Sequence, residues 1–195
     1  MTLIERDQSM VLVIDAQENF YRQHRTDVDR ERMAEVHDVA AWVVGAAAAL
    51  DVPIVVTEED IAKNGGTTDR IVANLPSGTP ILPKFAFSAP DNPDILRAIE
   101  DTGASTCILI GMETDICVAQ SALQLQARGK RVVCIANALY SPGLAHLNGI
   151  DRMTRNGIDL VSAKELVYEW VRTVDGIREF CRKNPALLDP PGFSL

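Results

Sequence analysis

Four short, uninterrupted apolar runs constrain this chain more than any other feature: "MVLVIDA" (10–16), "PIVVTE" (53–58), "CILIGM" (107–112) and "RVVCIAN" (131–137). Each is rich in Val and Ile and lacks polar alternation, the pattern of a strand covered on both faces in a parallel sheet. "PILPK" (80–84) and "IDLVSA" (158–163) are weaker versions of the same pattern. Helical segments fill the intervals at 31–50, 92–102, 115–129, 144–156 and 164–183, the last with a break. Gly129 and Gly157 supply helix stops, and Thr114 or Asp115 is placed to cap the helix that carries Cys117. Such alternation with short connections predicts an α/β fold around a parallel sheet. The length of 195 residues predicts a single domain spanning 1–195, with 164–195 as a C-terminal helical segment and tail. Its apolar residues, Trp170, Phe180 and "PALLDPPGFSL", predict an interface or a tail wrapped on the body. The one long irregular stretch, 60–79, reads as a surface or lid loop.

Charge narrows the partners. A net charge of −8 argues against a general affinity for nucleic acid or an anionic membrane surface. The longest apolar candidate, "VAAWVVGAAAAL", is too short to span a bilayer, and "MTLIERDQS" has no apolar signal core. Cys107, Cys117, Cys134 and Cys181 show neither C-x-x-C spacing nor the density of a disulfide scaffold, so a cytoplasmic location is expected.

In a parallel α/β sheet, chemistry collects at the carboxyl ends of the strands. Asp15 follows the first strand, Lys84 the third and Cys117 the fourth. Taken singly, these are a helix cap, a solvated lysine and a core thiol. Three different reactive groups on one edge point instead to a site. Other chemistries lack their parts: the first strand turn has no G-x-G-x-x-G, no P-loop exists, and Gln17 stands where an aspartyl-phosphate enzyme would place a second acid. There is no G-x-S-x-G, and His24, His37 and His146 sit in no triad context. A helix start and a nearby ammonium favour a thiolate, a carboxylate can take and return its proton, and backbone N–H groups can hold an oxyanion. These residue types suggest acyl transfer to water with an amide substrate, and they make Cys117 the most reactive of the four thiols.

The motifs "VIDAQENF" (13–20), "PKFAFSA" (83–89) and "GMETDICVAQSALQLQARGKRVVCIANALYS" (111–141) together resemble the isochorismatase-like cysteine hydrolases. That family includes nicotinamidase and N-carbamoylsarcosine amidase, and the look is closest to a branch with a G-x-E-T turn. The resemblance implies a three-layer α/β/α fold with a six-stranded parallel sheet in Rossmann-like order, the first and fourth strands adjacent. It implies a catalytic triad of Asp15, Lys84 and Cys117, a cis peptide at Met112–Glu113, an oxyanion hole from the N–H groups of Glu113 and Cys117, and a homo-oligomer. Metal-binding members carry an Asp-x-His pair after the second strand plus a further His. This chain has "TEEDIAKNGG" there and no histidine from 38 to 145, so neither metal nor other cofactor is expected. Gln17, Phe20, Glu58 and Phe85 are the pocket candidates. The expected function is a metal-independent cysteine hydrolase of a small amide, ureide or related carbonyl compound. The alternative is a non-catalytic binding or scaffold protein that keeps the fold.

Overall fold

The computed structural model describes residues 2–193 and 195. Its centre is one parallel sheet of six strands: β1 (Ser9–Ile14), β2 (Ile54–Glu59), β3 (Ile81–Lys84), β4 (Thr106–Met112), β5 (Arg131–Tyr140) and β6 (Asp159–Val161). They lie in the order β3-β2-β1-β4-β5-β6, the doubly wound arrangement in which strand order reverses between β1 and β4. The six-stranded Rossmann-like sheet implied by the sequence motifs is therefore present.

Successive side chains point to opposite faces of a strand, so each apolar run feeds two cores at once. Val11, Val13, Ile54, Val56, Ile108 and Ile110 face one layer, covered by α1 (Arg30–Ala49), α7 (Ala163–Val171) and α8 (Val174–Lys183). Met10, Leu12, Ile14, Val55, Cys107 and Leu109 face the other, covered by α4 (Pro93–Asp101), α5 (Ala119–Ala127) and α6 (Leu144–Arg155). Cys107 and Cys134 are fully buried members of this second core. Among the described residues no helix is long and apolar enough to cross a membrane.

The structure departs from the sequence expectations in three places and bears out a fourth. The 60–79 stretch carries two short helices, α2 (Ile61–Asn64) and α3 (Asp69–Val72). It is held down by the Thr68 N–H donating to the Ala16 carbonyl at 2.9 Å and by a bridge between Gln17 and Thr67. β5 runs on to Tyr140, because past an irregularity between Leu109 and Gly111 it pairs again with the end of β4. The helix expected at 115–129 opens as a π-type turn, Thr114–Val118, and α5 proper starts at Ala119. The expected break within 164–183 falls at Arg172, whose φ is +68°, and Thr173 then caps α8. The tail wraps the body: Trp170 and Phe180 are buried, Trp42 donates to the Leu187 carbonyl at 3.0 Å, and Phe193 meets the Trp42 ring edge-on at 5.0 Å.

β1 and β4 close tightly at their carboxyl ends. Gly111 pairs with Ile14, has a φ of +116°, and would place a Cβ 1.9 Å from the Ile14 carbonyl oxygen. No side chain fits there without parting the strands. Gly111→Ala should therefore destabilise by about 3 kcal/mol or more in urea unfolding. Gly129→Ala, with a φ of +84° and nothing within 4 Å of the added carbon, should lose only about 1–2 kcal/mol from its left-handed backbone.

Candidate active site

The sheet register delivers the chemistry to one place. Glu59 pairs with Lys84 across β2 and β3, and Ile14 pairs with Thr57 on one side and Gly111 on the other. The ends of β3, β2 and β1 thus present Lys84, Glu59 and Asp15 side by side, with the Cys117 turn following β4. Lys84 reaches this position from the sheet's edge strand, where Pro83 is tolerated because one side of the strand has no ladder to complete. Asp15 leaves β1 with a φ of +49°, a left-handed conformation that aspartate accepts more readily than most residues.

The structure brings all three sequence-predicted groups together. Lys84 Nζ lies 2.8 Å from Asp15 Oδ2 and 3.6 Å from Cys117 Sγ. It also donates to the carbonyls of Ala86 at 2.8 Å and Phe87 at 3.3 Å. Asp15 and Lys84 are fully buried, and Cys117 is 1% exposed. A fourth group joins them: Glu59 Oε2 lies 3.7 Å from Lys84 Nζ and accepts from Cys117 Sγ at 3.6 Å.

Burial and charge set the protonation states. Burial raises the Asp15 carboxyl to about 6, against the opposing pull of Lys84 and of the Thr57 hydroxyl that donates to Oδ1 at 2.8 Å. Burial works against the Lys84 charge, but Asp15, Cys117 and Glu59 outweigh it and hold the ammonium above the ordinary lysine range. Burial, then the Asp15 charge, push the Cys117 thiol well up; Lys84 pulls it down and Glu59 adds to the rise. Two carboxylates thus oppose, and one ammonium favours, the charged form of this buried thiol. Cys181, half-buried on α8, is the more accessible thiol.

The turn that carries Cys117 is held from behind. The Met112–Glu113 peptide is cis, and the Glu113 carbonyl accepts from Ile116 at 3.3 Å and Val118 at 3.0 Å. Helix α6 packs so closely that a Cβ on Gly149 would lie 2.7 Å from the Asp115 backbone. Neither Thr114 nor Asp115 caps the helix, contrary to expectation. Thr114 Oγ1 meets His146 Nδ1 at 2.9 Å, and Asp115 accepts from Ser141 at 2.7 Å, so the two side chains tie the turn to α6 and to the residue that follows β5. The Glu113 carboxylate accepts from the Tyr21 hydroxyl at 2.9 Å.

The four pocket candidates fare differently. Gln17 is buried with its amide committed to backbone: Nε2 donates to the carbonyls of Glu59 at 3.1 Å and of Gly65, and Oε1 accepts from Glu59 N–H at 2.9 Å. It positions Glu59. Phe20 packs edge-on against Tyr21 at 5.2 Å, beside the small cluster of Tyr21, Val28, Met33, Val36, Met112 and Tyr140. Glu58 turns away from the thiol, accepting from Thr67 N–H at 2.6 Å and Thr67 Oγ1 at 2.8 Å. Phe85 lines no wall in this chain, being 81% exposed.

Glu59 is the member of this cluster that sequence reading missed, and period-two alternation contained the signal. Val55 shares the core layer of Cys117, so Thr57 and Glu59 face that layer, whereas Glu58 follows Ile54 and Val56 to the other. Asp15, Glu59 and Cys117 place ligand-type atoms within 4.8 Å of one another, a set that could hold a cation. Lys84 Nζ contacts all three, so the cation this cluster gathers around is the chain's own ammonium.

Comparison with known proteins fits this geometry. Residues 9–165 match the model of the isochorismatase domain. Isochorismatase domain-containing protein 1 of Salmo salar is 27% identical over 138 residues, 70% of this chain and 48% of that protein, so this chain spans about half that relative's length. The MAR1 ribonuclease structure from Caenorhabditis elegans superposes with a TM-score of 0.80 at 24% identity, covering 100% of this chain and 98% of that one. The YcaC structure from Escherichia coli, described as an octameric hydrolase of unknown specificity, gives 0.78 at 22% identity and covers 96% and 93%. The matched span begins with the first residue of β1, takes in all six strands and ends within α7, so on both sequence and sheet order the chain belongs to the isochorismatase family.

Proposed function

We propose that this chain is a cysteine hydrolase that cleaves a small amide, ureide or related carbonyl C–N bond through an acyl-enzyme on Cys117. The observation that carries the reading is the buried convergence of Asp15, Lys84 and Cys117, with Lys84 Nζ 2.8 Å from the carboxylate and 3.6 Å from the thiol. Asp15 takes the thiol proton as sulfur attacks the carbonyl carbon. The N–H groups of Glu113 and Cys117 hold the oxyanion, and Lys84 offsets the charge that builds on sulfur and Asp15. Asp15 then returns the proton to the leaving nitrogen as the C–N bond breaks, leaving a thioester. Water attacks the thioester, Asp15 accepts the water proton, and the acid departs as the thiol is re-formed.

The same reading takes 1–195 as one domain working on a small molecule in a reducing compartment such as the cytoplasm. It also takes the chain as a homo-oligomer, supported by the exposure of Phe85, Phe87, Leu144 and Leu147 and paralleled by the octamer described for the YcaC neighbour. The ribonuclease named for the Caenorhabditis elegans neighbour is a poor guide to the substrate here. Two carboxylates beside the thiol and a net charge of −8 both oppose a phosphate chain. One observation favours the non-catalytic alternative: the thiol is 1% exposed, as an inert core cysteine would be.

Screening small primary amides and ureides for ammonia release decides between them. Turnover by the native chain and none by Cys117→Ala is expected; release that survives the substitution would remove Cys117 from the reaction. Because Lys84 is the cation of the cluster, turnover should survive exhaustive chelation, and a loss restored by zinc or manganese would contradict this. Asp15 must be ionised to accept a proton, so kcat/KM should fall as pH drops through about 6. Thr57→Val removes a hydrogen bond to the ionised form and should move that acid limb upward by about one pH unit. An unmoved limb would assign it to another group.

A further inference from the structure

We infer that Glu59 sets the specificity of the Cys117 site, admitting reactants that carry N–H donors or positive charge beside the reacting carbon and turning away carboxylated ones. Its extension to substrates rests on the hydrolase reading above, but the charge selection itself concerns only approach to the thiol.

Three observations support it. Asp15 and Lys84 side chains are sealed, whereas 19% of the Glu59 side chain is exposed, so of the charged groups around sulfur that carboxylate is the one open to solvent. The residue is also held in place: Gln17 grips the Glu59 main chain from both its N–H and its carbonyl, Asn64 donates to the same carbonyl at 2.9 Å, and Glu59 is in register with Lys84. A group fixed on a strand end selects more sharply than one on a loose loop.

Charge completes the argument. The Lys84 ammonium is paired with Asp15 at 2.8 Å and donates to the Ala86 carbonyl at 2.8 Å, the Phe87 carbonyl at 3.3 Å and Cys117 Sγ at 3.6 Å, while Glu59 is more distant at 3.7 Å. Two carboxylates against one ammonium leave one negative charge, and it lies on the outward-facing member. Among the described residues Glu59 has no other cationic partner. An anion brought to sulfur must pass this charge in a site too sheltered for water to screen it, whereas an amide N–H₂ or a cation can bond to it.

The test needs no substrate. Cys117 is alkylated with neutral iodoacetamide and with anionic iodoacetate, both rates being read by peptide mapping against Cys181 in the same molecules. The ratio of the two rates cancels any change in the thiol's own reactivity. In the native chain the preference for iodoacetamide at Cys117 should exceed that at Cys181 about tenfold or more. Glu59→Gln, nearly isosteric, should bring it close to the Cys181 value, and Glu59→Asp should retain most of it. An equal preference in native and Glu59→Gln chains overturns the inference, as does a Cys117 that reacts with neither reagent. Ammonia release from amides fails or succeeds separately, so a missing substrate and a missing charge filter are distinguishable.

Discussion

An ammonium with no solvent contact is among the least tolerable groups a fold can bury, and the Lys84 side chain is in that position. Stripping a charge of water costs several kcal/mol even after relaxation, and only close, well-aligned partners offset it. Asp15 supplies the ion pair, and the carbonyls of Ala86 and Phe87 supply the remaining acceptors. The dependence is mutual, since Asp15 without Lys84 would be a lone buried carboxylate. Neither residue makes sense in the core by itself, and the carboxyl edge of this sheet is organised around the pair.

Sheet topology is what allows the pair to form. Asp15 and Lys84 are separated by three helices and an entire strand in sequence, yet the order β3-β2-β1-β4 puts their strand ends one β-strand apart. Glu59 occupies the intervening end and Cys117 follows β4 on the far side. The tight approach of Gly111 to Ile14 keeps β1 and β4 together at that edge, and Gly149 lets α6 sit directly against the turn that carries the thiol. Main-chain clearances, rather than side-chain contacts alone, therefore fix where sulfur lies relative to the ion pair.

Much of this was legible beforehand because the signals were local. Continuous Val and Ile runs mark parallel strands whichever partners they find, and a reactive residue just after such a run falls on the carboxyl edge by geometry. Asp15, Lys84 and Cys117 were found that way. What escaped notice depended on parity or on distant partners. Ending β2 one residue early made Glu58 the candidate, although only Glu59 shares the face of Val55 and hence of the thiol. Thr114 and Asp115 have the composition of a helix cap, but His146 and Ser141, more than twenty-five residues away in sequence, claim their side chains. Phe85 reads as a pocket wall beside Lys84, yet it is exposed to solvent just where the lysine side chain is buried.

The surplus of carboxylate over ammonium bears on how a thiol so placed could act. With its pKa pushed up and that of Asp15 at about 6, proton transfer between them is uphill at rest. In the proposed reaction the thiolate is accordingly not stored; it is made as the S–C bond forms, when the developing charge passes to an oxyanion that backbone N–H groups can hold. Lys84 helps most at that moment, because it faces Asp15 and sulfur together and stabilises negative charge whichever of them carries it. A neutral resting thiol sheltered behind Glu59 is also slow to react with stray electrophiles, since thiolate rather than thiol is the nucleophile. Burial, which by itself reads as evidence against catalysis, is in this arrangement what confines sulfur's reactivity to a reactant that has already entered.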